Sequence, residues 1–336
     1  MKCQKYVRGC GDGTGGTSII YFLPPSFIQR KRRIKTIIAY AAIYIVWGST
    51  YLFIKFAVRE INPFLLVGMR FFLGGMLLLL FTWKAGYLRK PPSFIEIRNS
   101  IITGTLLLLG GNGLVSLAQT RVESYIAALI ISSTPVVVMM IDTLLLRKKP
   151  PITGLIGAIL GFCGIALLFH RHGASFSLSW FMVILFAAVA FWALGTSLSK
   201  ILALPGKSAV NSGIQQTAIG IGALSGIAIV SPSSLAVLPH ISPIAWTAIF
   251  YLAVVGSAAL AAYAYLLIHE PNHRIVSYAL VNPLIAIVLG LTFGREHPVA
   301  YLAQGTILIL SGLALMFYGE RIFPMLKRMK QPPVSS

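Results

Sequence analysis

The chain of 336 residues is 57% hydrophobic and only 11% charged, and its mean hydropathy is +0.82. Since soluble domains carry about a quarter charged residues, this composition excludes a soluble globular class and indicates a multi-pass membrane protein. The formal net charge of +20 does not indicate nucleic-acid binding. Most of the 28 Lys and Arg residues fall in short segments on one side of the predicted spans, where they face anionic lipid.

Residues 1–33 precede the first predicted span and are expected to form a basic, flexible tail. Residues 11–16 (GDGTGG) match the GxGxxG spacing of phosphate-binding loops. No predicted strand precedes them and no βαβ unit follows, so the match does not predict nucleotide binding. A basic cluster at residues 30–33, together with Lys35, adjoins the first span and indicates that this end of the span is cytoplasmic.

Ten apolar segments of bilayer-spanning length follow, joined by short loops. They lie near residues 34–54, 63–83, 99–118, 124–142, 152–169, 177–199, 209–230, 243–267, 274–293 and 299–319. An even number of spans with this Lys/Arg bias predicts both termini in the cytoplasm, including a basic tail at residues 321–336. The expected fold class is an all-α polytopic protein with ten transmembrane helices, located in the inner or plasma membrane of the cell.

The chain contains an internal repeat. A constant shift of 148 positions pairs Pro135 with Pro283, and a shift of 145 pairs Trp47 with Trp192. The same shifts pair Arg147 with Arg295, Pro150 with Pro298, Gly157 with Gly305, Gly164 with Gly312, and Lys55 with Lys200. Each copy, at residues 34–170 and 177–320, holds five predicted helices, so the second copy enters the membrane from the opposite face. Inverted repeats of this kind are typical of secondary transporters, with the substrate held near the midplane.

Acidic residues are scarce and lie away from the span centres. All eight fall in a predicted loop, a tail or a helix end: Asp12, Glu60, Glu96, Glu123, Asp142, Glu270, Glu296 and Glu320. Because a carboxylate at the midplane is the usual proton or sodium relay, the coupling ion stays open. The same scarcity, with three unpatterned Cys and six scattered His, predicts no enzyme activity, metal site or cofactor.

Aromatic residues near the span centres form the strongest candidate site. Residues 47–51 (WGSTY) place Trp47 and Tyr51 on one face of the first helix, with Thr50 beside them, and Trp192 lies at the matching level of the sixth. Membrane Trp normally collects at the interfaces, so a Trp at mid-span indicates a cavity wall. The alternative is that each indole packs in the bundle and bonds a Ser or Thr hydroxyl.

Proline interrupts two equivalent helices. Pro135 and Pro283 fall near the centres of spans four and nine, and each leaves a backbone carbonyl without its hydrogen bond. Broken helices at matching positions of two halves point to a transporter site, to which Ser277, Tyr278 and Asn282 would then contribute. The alternative is a structural kink in which neighbouring hydroxyls bond the freed carbonyls.

Arg70 is the only cation clearly inside a predicted span. It either faces a cavity, where it would attract a carboxylate or phosphate group, or extends to the outer headgroups. Asn112, among glycines of span three, and Gln119, at its outer end, are candidate polar lining residues. Lys55 and Lys200 end their spans and are expected to act as anchors or gates.

At these motifs the chain resembles the EamA family of the drug/metabolite transporter superfamily, in particular its YedA-like exporters. The resemblance rests on residues 44–51 (YIVWGSTY), 67–71 (VGMRF), 111–113 (GNG) and 277–283 (SYALVNP), and covers about residues 34–320. One departure is the turn after helix four, where the family often has Gly-Glu and this chain has Arg147 and Lys148. Only residues 294–296 (GRE) approximate that motif.

The resemblance implies two EamA repeats around a central cavity and export of amino acids, other small metabolites or drugs by alternating access. Expected partners are a small-molecule substrate and the lipid bilayer, with no nucleic acid; a homodimer stays open. A sensor or accessory subunit without transport activity is the alternative, and a channel is disfavoured because no filter-like repeat or charge ring is present.

Overall fold

The computed structural model describes residues 25–147, 152–168 and 180–329, and within these ranges all regular secondary structure is helical. The main helices are α1 (Pro25–Val58), α2 (Pro63–Lys84), α3 (Phe94–Ala118), α4 (Ser124–Leu145), α5 (Ile152–Leu168), α6 (Trp180–Leu198), α7 (Ser208–Val230), α8 (Pro243–His269), α9 (Val276–Thr292) and α10 (Leu302–Met329). Eight of them are long and apolar enough to cross a membrane, while α5 and α9 are shorter apolar helices.

Two helix ends differ from the expectation. α1 begins at Pro25, so residues 25–33 are helical rather than part of a flexible tail, and α10 continues to Met329, beyond the expected start of the C-terminal tail. The glycine-rich segment 11–16 and Pro150 lie outside the described residues. Many large apolar side chains, such as those of Ile159, Val288 and Ile307, are exposed on the outside of the bundle, as expected for a surface that contacts lipid.

Equivalent helices of the two repeats carry equivalent irregularities. α3 is π-helical over Thr105–Gly113 and α8 is π-helical over Leu252–Gly256. α4 is broken just before Thr134, and α9 begins as a 3-10 helix and becomes α-helical at Asn282. Arg147 and Arg295, which follow α4 and α9, both have a left-handed φ of 52°. The internal repeat of the sequence is therefore matched by local backbone structure.

At the break beside Pro135, side-chain hydroxyls of the same helix bond the nearby backbone carbonyls. The hydroxyls of Ser132, Ser133 and Thr134 each donate to the carbonyl three residues earlier, at 2.5–2.7 Å. The Thr134 hydroxyl thereby bonds the Ile131 carbonyl, which has no N–H partner because proline stands four residues later. The freed carbonyl is thus hydrogen-bonded within its own helix, which favours the structural alternative for this proline.

α5 and α10 pack closely where they cross, because glycines of each helix contact the backbone of the other. A Cβ on Gly164 would lie 2.7 Å from the carbonyl oxygen of Gly305, and Gly157 meets the carbonyl of Gly312 in the same way. The repeat shift converts Gly157 to Gly305 and Gly164 to Gly312, so each contact is the image of the other. The two helices run antiparallel, because the earlier residue of one faces the later residue of the other.

α2 and α7 cross in the same reciprocal manner. Gly75 packs against the backbone of Thr217, and Gly220 packs against the backbone of Phe72. The shift of 145 converts Gly75 to Gly220 and Phe72 to Thr217. Reciprocal antiparallel contacts are the pattern that a twofold axis perpendicular to the helices produces.

Candidate functional site

A cavity lies at the centre of the bundle, between helices from both repeats. Its atom-free space is about 540 Å³, counting the part that is open to solvent. Its lining includes seven residues that the sequence predicted: Trp47, Thr50, Tyr51, Arg70, Asn112, Trp192 and Tyr278. Smaller and aliphatic residues complete the wall: Ile54, Gly111, Val115, Ile131, Ala188 and Leu260.

Trp47 is at the centre of a cluster of four aromatic rings, three of which line the cavity: Trp47, Trp192 and Tyr278. Its ring packs edge-on against Trp192 at 5.3 Å and against Tyr278 at 5.1 Å, and it lies 4.9 Å from Tyr263. Edge-to-face pairs at these distances stabilise one another beyond the area that they bury. The Tyr263 hydroxyl is fixed by the hydroxyl of Thr196 at 2.6 Å. Trp47 and Trp192 therefore both line the cavity and pack against other rings, but the Trp192 indole N–H bonds no Ser or Thr hydroxyl of the described residues, as the packing alternative had required.

Arg70 is a buried cation in the cavity wall. Its side chain leaves α2 and only 2% of the residue is exposed. The guanidinium Nε and Nη1 have no hydrogen-bond partner, and the Phe71 ring lies 4.6 Å from Cζ. The ion pairs found within the described ranges involve other residues. The cavity therefore contains a positive charge without a counter-charge from the described part of the protein.

Thr50 and Asn112 provide neutral polar groups to the same space. The Thr50 hydroxyl donates to the carbonyl of Trp47 at 2.8 Å, which leaves its oxygen able to accept another bond. Asn112 lies on the π-helical stretch of α3, between Gly111 and Gly113. Ordinary α-helical bonding is shifted in such a stretch, and π-helical insertions are frequent at functional sites.

Three predicted lining residues lie elsewhere. Gln119 is fully buried and does not reach the cavity, and its side-chain amide has no partner. The Ser277 hydroxyl bonds the Tyr44 hydroxyl at 2.7 Å. The Asn282 amide nitrogen, in the amide orientation that satisfies both of its ends, donates to the Tyr44 carbonyl at 2.8 Å. Ser277 and Asn282 thus join α9 to α1 rather than line the cavity, and Pro135 and Pro283 are also outside its lining.

Lys55 and Lys200 perform the same structural task at opposite ends of the bundle. Lys55 Nζ donates to the carbonyls of Gln119 and Val122, at 3.1 and 2.9 Å, and lies 3.5 Å from the Glu123 carboxylate. Lys200 Nζ donates to the carbonyls of Leu267 and Glu270, which are the repeat equivalents of those two residues. Each ammonium therefore neutralises the carbonyl end of a neighbouring helix, α3 or α8.

Two glutamates join the repeats at the end of the bundle where Lys55 lies. The Glu296 carboxylate accepts from the backbone N–H and the hydroxyl of Ser124, at 2.8 and 2.9 Å, and so caps α4. The Glu60 carboxylate accepts the same two groups of Ser242, at 2.7 and 2.6 Å, and so caps α8. Burial raises the pKa of Glu296, whereas the bonds from Ser242 lower the pKa of the exposed Glu60.

Leu260, on α8, lines the cavity and was not among the predicted lining residues. The repeat shift of 148 could have predicted it, because the shift pairs Leu260 with the predicted lining residue Asn112. Among the described residues no group of three or more His, Cys, Asp or Glu could hold a metal ion.

Comparison with known proteins identifies the family. The EamA-like transporter family model matches residues 34–170 and 179–318. The chain is 32% identical to the uncharacterized inner membrane transporter YedA of Escherichia coli strain K12, over 84% of this chain and 90% of that protein. It is 25% identical to an uncharacterized transporter of Archaeoglobus fulgidus, over 84% and 96%.

Among solved structures, one crystal structure shares the fold with a TM-score of 0.62 at 18% identity. The match covers 89% of this chain and 99% of that one. Identity at this level bears on fold alone, while the family match and the relatives place the chain in a membrane. The cavity thus lies within two matched family repeats, and the chain belongs to the EamA-like transporter family.

Proposed function

We propose that this protein is a secondary transporter that exports small organic metabolites or drugs, such as amino acids, across the cytoplasmic membrane. The observation that carries the proposal is a central cavity to which both repeats contribute equivalent positions. Trp47 and Trp192 are one such pair, and Asn112 and Leu260 are another. A site formed by both halves is the arrangement that inverted-repeat carriers use.

The proposed topology has ten transmembrane helices in two inverted repeats, with both termini in the cytoplasm. It is supported by the antiparallel reciprocal crossing of α5 with α10 and of α2 with α7. The Lys/Arg bias supports the orientation, because short cytoplasmic loops are enriched in these residues. In this orientation Lys55 lies at the outer end of the bundle and Lys200 at the inner end.

Alternating access requires that one end of the bundle opens while the other stays closed. At the Lys55 end, polar bonds cross between the repeats: Glu296 with Ser124, and the Arg59 guanidinium with the Gly294 carbonyl at 3.2 Å. At the Lys200 end, the Ser197 hydroxyl donates to the Asp142 carboxylate at 2.7 Å. These bonds exchange for bonds to water at modest net cost, as a reversible gate requires.

A tolerance panel tests the proposal in cells. Wild type and Arg70→Ala are overexpressed, and growth is measured against toxic concentrations of amino acids, their analogues and drugs. Wild type should confer tolerance to a subset of these compounds, and Arg70→Ala should lose it at equal expression. Arg89→Ala is the matched control, because Arg89 is exposed in the loop between α2 and α3.

Reconstitution separates transport from an accessory or sensing role. Purified protein in liposomes that are loaded with a compound from the tolerance panel should release it faster than protein-free liposomes. Trp47→Ala should abolish this release, because it removes the ring that the other three contact. Equal release with and without protein, for every compound tolerated in cells, would refute transport by this chain alone.

A further inference from the structure

The unpaired charge of Arg70 has a consequence for the substrate. A buried cation is costly unless an anion or several hydrogen-bond acceptors compensate it. Arg70 is 2% exposed, and its Nε and Nη1 have neither kind of partner. A guanidinium that extended to the headgroups would have its charged end exposed instead, so the burial contradicts that alternative.

Arg70 is one of the residues that line the cavity. Its Nη2 lies 3.4 Å from the position that a Cβ would take on Gly256, in the π-helical turn of α8. Arg70 is therefore placed between α2 and α8 and lines the cavity together with Trp47 and Tyr278. A guanidinium presents its donors in planar pairs, Nε with Nη2 or Nη1 with Nη2, and such a pair matches the two oxygens of a carboxylate.

No acidic residue balances this charge inside the cavity. The thirteen lining residues include no Asp or Glu, and Arg70 is the one charged residue among them. A cationic solute would meet a like charge in a space of low dielectric constant, where repulsion is strong. An anionic group would instead complete the interaction that Arg70 lacks.

We infer that Arg70 is a carboxylate-binding subsite and that the cavity selects small organic anions or zwitterions with an apolar body over cations. This inference rests on the proposed transport function and names its substrate class. The rings of Trp47, Trp192 and Tyr278 contact the apolar body. In an amino acid the same ring faces receive the ammonium group through cation–π contact.

Three probes of one shape and different charge test the inference. Benzoate, benzamide and benzamidine carry charges of −1, 0 and +1 on nearly the same frame. Isothermal titration calorimetry on the purified, monodisperse protein in detergent should give the tightest binding for benzoate, about tenfold or more over benzamide, and no detectable binding of benzamidine. Equal affinities, a preference for benzamidine, or no binding of any probe would overturn the inference.

Variants of Arg70 assign the effect to this residue. Arg70→Gln should reduce benzoate affinity about tenfold or more and leave benzamide affinity within about twofold, whereas Arg70→Lys should retain part of the preference. Arg89→Gln, which changes an exposed arginine, should bind all three probes as wild type does. An unchanged benzoate preference in Arg70→Gln would refute the subsite. If that variant fails to fold, benzoate protection of the wild type against thermal unfolding, absent with benzamidine, decides instead.

The binding measurement is independent of transport, so the two proposals can fail separately. Benzoate binding that depends on Arg70, without release of any compound from liposomes, would support the subsite and refute the transporter. Release of solutes without any preference for anions or zwitterions would support the transporter and refute the subsite.

Discussion

The crossing of α5 and α10 can be tested with two glycines on the same helix. A Cβ on Gly164 would lie 2.7 Å from the Gly305 carbonyl oxygen and 2.9 Å from the Ile309 backbone nitrogen. Both atoms belong to the backbone of α10, so neither can move unless the helices separate. A Cβ on Gly161, about one turn away, would meet nothing within 4 Å. The two positions therefore differ in packing and share the same helix.

The expected magnitudes follow from this difference. Replacing glycine by alanine in a helix stabilises it by about 1 kcal/mol, because alanine loses less backbone entropy on folding. Gly161→Ala should therefore be neutral or stabilising by up to about 1 kcal/mol. Gly164→Ala receives the same entropic stabilisation, but its new Cβ overpacks the crossing, which costs about 1–3 kcal/mol. Gly164→Ala should thus be less stable than Gly161→Ala by about 1–3 kcal/mol.

Thermal unfolding of the purified variants in detergent measures this difference. The Tm of Gly164→Ala should fall below that of wild type, while the Tm of Gly161→Ala should equal or exceed it. Because Gly312 is the repeat equivalent of Gly164 and meets the Gly157 carbonyl, Gly312→Ala should behave like Gly164→Ala. Equal Tm values for Gly161→Ala and Gly164→Ala would refute the close antiparallel crossing.

Two further predictions concern the polar ends of the bundle. Burial raises the pKa of Glu296 in the folded protein. Protonated Glu296 therefore stabilises the fold fully below about pH 4.5, and this stabilisation is lost as the pH rises through the raised pKa. Wild type should therefore lose more Tm than Glu296→Gln as the pH rises from 4.5 toward neutral, and parallel pH profiles would contradict this. Lys55→Met leaves the two carbonyls that Lys55 bonds without a charged donor and should destabilise the protein by about 1–3 kcal/mol. Lys84→Met, at an exposed helix end, is the control, and an equal small effect of both changes would contradict the capping role.

Local properties of the chain were enough to predict the broad architecture. Long apolar segments predict spans because each helix must satisfy its own backbone in lipid. The repeat shift predicts which helices are equivalent, and the charge bias predicts an orientation. Trp47, Trp192 and Arg70 could be selected because a polar or amphipathic side chain far from the interfaces needs a partner or a cavity.

The contacts of the candidate residues could not be predicted in the same way. The sequence placed Asn282 and Ser277 at the cavity, but both bond Tyr44 of α1. It also left the roles of Lys55 and Lys200 open, although each ammonium bonds the carbonyl end of a neighbouring helix. These partners are distant in sequence, so no local pattern records which side chains meet.

The sequence by itself therefore determined a two-repeat helical membrane protein and pointed to several of the residues that line its cavity. Only the tertiary structure decided that Tyr263 packs against Trp47, that Gln119 lies outside the cavity lining, and that Arg70 lines the cavity with no acidic partner among the described residues. The physical reason is that lipid is as apolar as the interior of the bundle. Hydrophobic periodicity consequently does not distinguish the helix face that lines a cavity from the face that contacts lipid, and only the packing of all helices defines it.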